Sequence, residues 1–552
     1  MTLFFSFIVF ILSVILFRPI LFIHSHNIKS NIKFLNLVYD NISVFSIVKI
    51  VFIITLFFSN VIFFYKIVSV FITNMKPKYN KSIAPYFRLL LGKDCNNNDI
   101  FIPKNSLYQN ILITGSIGSG KTASAMYPFT KQLILYEHNN CNKKLGFLIL
   151  DVKGNYYSKV LEFAKIANRL EDVIVIDVNN HYKYNPLNKP ELKAGVLANR
   201  IKTILLLFSP NNTESYWLDK VEQILECCIN YIRIYNNGYV TFEEIHRLVT
   251  DSSYFFSKFK KVRRLFTAGK LKKSDCYLLY NSISFLKTDY FSLDIRTHNL
   301  LKSEITRITN FFVADYEINR TFCPSKEDEN FYGFDDVIEN GKIVVLNMNI
   351  AEYKNFSKII AAYLKLDFQT DVLKQLANSS IAKRSTVFIS DEYQEYVTSS
   401  DADFFSQSRE AKCINIVSTQ SYTSILNTLG NQNSTKVIIQ NLVNKIWFRN
   451  DDIFTIEDIQ KQIGKEDKKK ISKTFSENAK ETSYNHLSNS FISLNSNLSE
   501  SINTYYQNDF VYDYNFFTQE LQTFSCLAFL SDGTKIIKPM QLKMLPYFLD
   551  NN

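Results

Sequence analysis

Gly115-Ser116-Ile117-Gly118-Ser119-Gly120-Lys121-Thr122 follows directly on the apolar run Asn110-Ile111-Leu112-Ile113-Thr114 and decides the fold class of this chain. A GxxxxGK[ST] string between a strand and a helix-compatible segment, here Thr122 to Tyr136, reads as a phosphate-binding loop. Its glycines let the backbone wrap so that successive N–H groups point at the α- and β-phosphates of a nucleotide, and the next helix adds positive potential from its N-terminus. All eight residues from Gly115 to Thr122 are therefore the expected nucleotide-binding segment. Lys121 is expected to reach the β/γ-phosphates and Thr122 to give its hydroxyl to Mg²⁺, so ATP and Mg²⁺ are the expected cofactors.

Outward from the loop, short apolar runs recur between helix-like stretches: Gly146–Leu150, Val173–Val178, Ile343–Met348, Thr386–Ile389, Ile414–Ser418 and Lys445–Phe448. Strands alternating with helices predict an α/β fold, a P-loop NTPase with a mostly parallel, doubly wound sheet. Ligands of such sheets gather beyond the carboxyl ends of the strands, which singles out Asp151, Asp391 and Ser418-Thr419-Gln420. From Pro190 to about Asn330 the strand signal stops. Lys193–Phe208, Tyr216–Tyr235, Phe242–Thr250 and Asn299–Phe312 read as helices, an all-α domain inserted into the sheet. Within it, Phe256 to Lys273 holds Lys258, Lys260, Lys261, Arg263, Arg264, Lys270, Lys272 and Lys273 with no acidic residue, and reads either as a solvated helix face or as a cargo or nucleic-acid contact. Lys465 to Tyr506 is polar, rich in Ser, Asn and Lys, and reads as a surface excursion outside the core. Ser525 to Lys538 reads as two short strands about an Asp532-Gly533 turn.

The 552 residues exceed one core and suggest about three units. The boundaries expected are 1–75 for a membrane anchor, 76–190 for the first part of the nucleotide-binding domain, 191–330 for the insertion and 331–552 for the second part. Leu3 to Ile23 and Val44 to Tyr65 are each apolar and long enough to cross a ~30 Å hydrocarbon core. An uncharged start and Arg18-Pro19 argue against a cleaved signal peptide. Lys29 and Lys33 lie in the loop between the spans, whereas Lys66, Lys76, Lys78, Lys81, Arg88 and Lys93 follow the second, so the expected topology is two-pass with the bulk cytoplasmic. Lys49 and Asn60 read as a snorkelling side chain and an interhelical hydrogen-bonding group. The net charge of +11 permits a nucleic-acid or lipid partner without requiring one, because the composition is crowded with Asn, Ile, Lys, Phe and Tyr throughout. Eight cysteines without a CxxC pair and seven histidines without ligand spacing fit a reducing compartment and speak against a zinc site.

The second chemical motif is Thr386-Val387-Phe388-Ile389-Ser390-Asp391-Glu392, a buried-strand pattern ending in adjacent carboxylates. In P-loop enzymes two such acids divide the work: Asp391 is expected to hold the Mg²⁺ shell, and Glu392 to orient or deprotonate the attacking water. Gln420, at the end of the next strand, is placed to sense the γ-phosphate. Arg409, in Ser408-Arg409-Glu410-Ala411-Lys412, is a candidate arginine finger reaching a neighbouring subunit.

With these residues placed, the chain resembles the type IV secretion coupling proteins, the conjugative DNA-transfer ATPases of the TraG/TraD type. Two N-terminal spans, GSIGSGKT, Asp151-Val152-Lys153-Gly154, Asn185-Pro186-Leu187, Tyr216-Trp217, Asn340-Gly341-Lys342-Ile343-Val344-Val345-Leu346-Asn347, Asp391-Glu392, Ser418-Thr419-Gln420-Ser421 and Asn444-Lys445-Ile446 with Gly464 occur in the order of that family. The resemblance implies a membrane-anchored, hexameric ATPase of the bacterial inner membrane. It would recruit a DNA–protein complex or an effector protein and deliver it to secretion-channel components. Val152 stands where the family commonly has Pro, and Asn155 where an acid is common, so the detail of that loop departs from the pattern. With no long acidic tail, partner recognition is expected in the helical insertion. Two other readings use the same motifs: a septal or chromosome-segregation DNA translocase of the FtsK/HerA kind, and a nucleotide-gated membrane receptor or tether with little hydrolysis. The first usually adds a DNA-reading winged helix, which is not evident after Lys538. Intact Lys121, Thr122, Asp391 and Glu392 count against the second.

Overall fold

The computed structural model describes the chain from Phe87 to Leu549, apart from Val152, 209–214 and 378–383, together with five isolated positions between Ser43 and Val51. The expected membrane spans Leu3–Ile23 and Val44–Tyr65, with Lys49 and Asn60, otherwise lie outside the described residues. Among the described residues no helix is long and apolar enough to cross a membrane.

Thirteen strands are described: β1 (Arg88–Lys93), β2 (Asp99–Pro103), β3 (Ile111–Thr114), β4 (Gly146–Leu150), β5 (Val173–Ile176), β6 (Ile343–Leu346), β7 (Thr386–Ser390), β8 (Cys413–Thr419), β9 (Asn444–Phe448), β10 (Lys465–Asn485), β11 (Ser490–Phe510), β12 (Ser525–Phe529) and β13 (Met540–Met544). Eleven form one sheet in the order β2-β1-β13-β12-β9-β3-β8-β7-β4-β6-β5. From β9 to β5 every pairing is parallel, and from β12 to β2 every pairing is antiparallel. The parallel strands are apolar at nearly every position because both faces are covered. Ile111, Ile113, Phe147, Ile149, Val387 and Ile389 face one layer, which contains the helices Tyr127–Leu135 and Tyr156–Ile166. The intervening Leu112, Leu148, Leu150 and Phe388 face the other, under the helix Asn355–Ala377. Successive side chains of a strand point to opposite faces, so a two-faced core needs an unbroken apolar run.

All regular structure between Ala194 and Asn340 is helical among the described residues. Its buried side chains, such as Ile201, Leu225, Ile245 and Ile305, continue without a break into the core beneath Asn355–Ala377. The helix expected at Asn299 begins earlier, as Ile295–Val313, because the Asp294 carboxylate accepts the Arg296 and Thr297 N–H groups at 3.0 Å each and caps it.

Several segments differ from the sequence reading. The runs Val173–Val178 and Ile343–Met348 yield strands only to Ile176 and Leu346, and after the first the chain turns at Asp177. The polar stretch from Lys465 is not irregular: β10 and β11 pair from Lys465↔Phe510 to Asn485↔Ser490 as a separate two-stranded ribbon. Its alternating apolar residues, such as Ile492, Leu494, Leu498 and Ile502, are too thinly spread among Ser, Asn and Glu to stand out, and its ladder holds it in shape. In the hairpin after Ser525, the turn at Asp532 is present, with Asp532 Oδ1 accepting from the Thr534 and Lys535 N–H groups, but the second strand starts at Met540 and not before Lys538. The strands β1 and β2 were not read from the sequence at all.

Candidate functional site

The order β3-β8-β7 brings two remote motifs together. The P-loop leaves the carboxyl end of β3, the Asp391-Glu392 pair leaves that of β7, and β8 between them ends beside Gln420. In the loop, Gly118 and Gly120 have φ of 77° and 98°, a region that side-chain-bearing residues avoid. A Cβ on Gly120 would also stand 2.5 Å from the ring of Phe524, and the Phe524 backbone N–H donates to the Ser119 carbonyl. The loop is further tied down by Ser116, whose N–H and hydroxyl both donate to the Arg449 carbonyl, at 2.8 and 3.1 Å.

Lys121 is buried, and its ammonium donates to the carbonyls of Gly115 and Ser116 within the same loop. Burial pulls its pKa below the ordinary lysine value, against the opposing pull of Glu392 and Asp391. The Thr122 hydroxyl donates to Asp391 Oδ2 at 3.1 Å, joining the two side chains expected to share Mg²⁺. Asp391 is 2% exposed, and burial raises its pKa, with Asp151 adding to the rise and Lys153 opposing it. A carboxylate buried at this cost, beside a hydroxyl and a second acid, is a donor set suited to a hard divalent cation.

Glu392 sits in the left-handed region, at φ 51° and ψ 48°, a conformation that costs a non-glycine residue about 1–3 kcal/mol and recurs at functional sites. Its carboxylate accepts from the Lys153 ammonium, from Gln394 Nε2 at 2.7 Å and from Gln420 Nε2 at 3.3 Å. Burial pushes the Glu392 carboxyl up, but these donors outweigh it and leave it below the usual glutamate range. The same contact raises Lys153 in spite of its burial. Asp151, at the tip of β4, is spent locally: its oxygens accept the N–H groups of Lys153, Asn155 and Tyr156 and start the following helix.

Lys121, Thr122, Asp391, Glu392 and Gln420 thus converge. Arg409 does not join them within one chain. It is exposed just before β8, whose seven residues, at about 3.3 Å each, separate it from the Gln420 end. Two cations of the site were not among the residues singled out from sequence for it. Lys153 stands in the DVKG motif, yet only folding shows that it holds Glu392. Arg449 follows the last apolar residue of β9, next to the P-loop strand, and position at a strand's carboxyl end was the available signal. Arg449 lines a cleft of about 500 Å³ with Ser116, Ile117, Gln420, Ser421 and Asp452.

The family described as the TraM recognition site of TraD and TraG matches residues 385–500, which hold β7, the carboxylate pair, Gln420, β9 and the first strand of the ribbon. By fold, the chain is similar to the bacterial conjugative coupling protein TrwBdeltaN70 in its unbound monoclinic form, with a TM-score of 0.53 and 12% identity over 81% of this chain and 87% of that one. It is similar to the plasmid coupling protein TrwB in complex with ADP and Mg²⁺, with a TM-score of 0.53 and 12% identity over 84% of this chain and 96% of that one. Against TrwB in complex with the GTP analogue GDPNP, the TM-score is 0.51 at 11% identity, with coverages of 84% and 96%. At these identities the likeness to solved structures is one of fold. By sequence, no curated protein matches. The family match and the fold agree with the resemblance read from the motifs, that of a type IV secretion coupling protein.

Proposed function

We propose, taking the resemblance to type IV secretion coupling proteins as the starting point, that this chain is a membrane-anchored ATPase. It receives a DNA–protein or protein cargo and couples ATP hydrolysis to its delivery into a secretion channel. The observation that carries the reading is the Thr122–Asp391 hydrogen bond at 3.1 Å beside the Glu392–Gln420 contact, four polar residues from three strand ends gathered at one phosphate loop.

Each residue then has a task. The loop N–H groups and Lys121 bind and orient the phosphates, and Thr122 and Asp391 hold Mg²⁺. Bound Mg²⁺-ATP supplies the electrophilic phosphorus and the charge neutralisation that phosphoryl transfer requires. Glu392 is kept ionised by Lys153 and accepts a hydrogen bond, then a proton, from the attacking water at its carboxylate oxygen. Gln420 touches that carboxylate and links the state of the site to β8. Arg409, remote from its own site, is assigned to the site of a neighbouring subunit in a ring, for which a hexamer is the expected closure. The apolar spans Leu3–Ile23 and Val44–Tyr65 supply the anchor, and the helical insertion, residues 191–330, supplies the cargo-facing domain.

Turnover of the purified full chain, measured with and without single- and double-stranded DNA at two salt concentrations, tests this reading beside Glu392→Gln. Hydrolysis lost in the variant, with nucleotide binding kept, is expected. Parent and variant with equal turnover would defeat the ATPase assignment and leave a nucleotide-binding tether. Salt-sensitive stimulation would identify phosphate contacts with a nucleic-acid cargo.

A further inference from the structure

The basic stretch singled out in the insertion folds as one wall of an apolar groove. The helix Ser252–Thr267 presents Phe259, Val262, Arg263 and Phe266, positions i, i+3, i+4 and i+7, along one side. The helix Lys273–Phe285 presents Leu279, Tyr280 and Ile283 along the other, and the groove between them encloses about 370 Å³. Phe266 is 56% exposed and Tyr280 74%, while Val262 and Leu279 form the buried floor. The groove therefore offers side-chain-sized apolar surface to an outside partner, in a part of the chain remote in sequence from the nucleotide motifs.

Charge says which partner. From Phe256 to Tyr290 the chain carries nine lysines and arginines against two acids, Asp275 and Asp289. Arg263 and Lys287 stand on the groove itself, with the Lys287 ammonium 4.4 Å from the centre of the Phe259 ring, and Lys260, Lys261, Arg264 and Lys270 are exposed around it. A nucleic-acid backbone would use the cations and leave the apolar floor empty. An amphipathic helix would use both, its apolar stripe in the groove and its acidic flanks on the cationic rim.

We propose that this groove docks an acidic amphipathic helix of a partner protein, with bulky apolar residues at i, i+3, i+4 and i+7 and Asp or Glu on either side. The inference rests on the reading of the insertion as cargo-facing, and makes the recognised element a helical protein segment.

The test measures fluorescence anisotropy of a synthetic Leu/Glu amphipathic peptide with the full chain in detergent. Its controls are a peptide with the glutamates replaced by lysine, one with the leucines replaced by alanine, and single- and double-stranded DNA of matched label. The Leu/Glu peptide is expected to bind and both altered peptides to fail. Phe266→Ala with Tyr280→Ala, both exposed and so tolerable to the fold, should weaken binding about tenfold or more, as at an interface hot spot. Arg263→Gln with Lys287→Gln should weaken it and flatten its salt dependence. Peptide binding that ignores the groove variants overturns the proposal. So does DNA binding that depends on Arg263 and Lys287 while the peptide does not bind. ATP turnover measured on the same preparations separates the two readings: inert protein that still binds the peptide breaks the motor assignment alone, and an active enzyme that does not bind it breaks the groove alone.

Discussion

The carboxyl ends of the parallel strands and the ribbon β10–β11 are both built of β-structure, and they treat charge in opposite ways. Beneath the strand ends, Asp391, Lys365 and Asp401 are withdrawn from water and held by particular partners. Lys365 and Asp401 are both fully buried and paired at 2.6 Å, and the same Asp401 accepts the Tyr393 hydroxyl at 2.6 Å, next to Glu392. On the ribbon, Lys470–Asp509 and Lys473–Glu500 pair across the strands in solvent, and Ile471, Phe475, Ile502 and Tyr506 are exposed as well. A backbone ladder gives a ribbon its shape at little cost in specificity, whereas a buried charge is tolerated only in one arrangement. The difference locates where a single substitution is felt.

The largest effect is expected at the loop. Lys121→Ala should lower kcat by about 10²–10³, the loss seen when one preorganised charge donor is removed, with circular dichroism and nucleotide-free stability unchanged. Retained turnover would remove the P-loop from the chemistry and break the comparison at its functional end. In mixed assemblies, an Arg409→Ala chain combined with a Glu392→Gln chain should regain part of the activity that each lacks alone. If co-assembly is verified and no activity returns, Arg409 is no trans finger.

Next comes the buried pair. Asp401→Ala leaves the Lys365 ammonium without its counter-charge and should destabilise the fold by about 3–5 kcal/mol in denaturant titration. Lys365→Met with Asp401→Asn, which removes both charges but keeps an acceptor for the Tyr393 hydroxyl and the Thr398 N–H, should cost less than Asp401→Ala. A cost near zero for Asp401→Ala would mean that water reaches the pair, and that this region resembles the ribbon after all.

A smaller effect concerns pH. Lys153, Gln394 and Gln420 outweigh burial and hold the Glu392 carboxyl below its ordinary value, so their contribution to stability is present above that value and fades as pH falls through the lower, folded one. Removing the ammonium with Lys153→Met leaves burial less opposed and should move the acid limb of the pH–kcat profile to higher pH. An unmoved limb would detach Glu392 from the titration that limits turnover.

The smallest effect is expected from the ribbon. Replacing residues 466–509 with a short Gly/Ser linker should change the stability of the remainder by no more than about 0.5 kcal/mol, as for surface changes away from packed features, and leave basal turnover in place. A loss of several kcal/mol would show that the ribbon's exposed apolar face is packed in the assembled protein.

The sequence was most legible where packing is most demanding. Ile111–Thr114 and Gly146–Leu150 were read to the residue, because a strand buried on both faces must be apolar throughout. The phosphate loop was legible because its backbone requires glycine at Gly118 and Gly120. β1 and β2 were missed because their apolar runs, Leu89-Leu90-Leu91 and Ile100-Phe101-Ile102, are only three residues long, as partly exposed antiparallel strands near a sheet edge permit, and the ribbon because its shape comes from main-chain hydrogen bonds that any side chain permits. By itself the sequence determined the fold class, the loop and the carboxylate pair, since each is a local pattern in which residue type answers to backbone geometry or burial. Tertiary structure alone decided that β8 lies between the two motifs, that Lys153 holds Glu392, that Arg409 stands away from its own site, and that a basic helix walls an apolar groove. Those facts depend on which distant segments share a sheet or a helix pair, a choice made by the summed burial of the whole core.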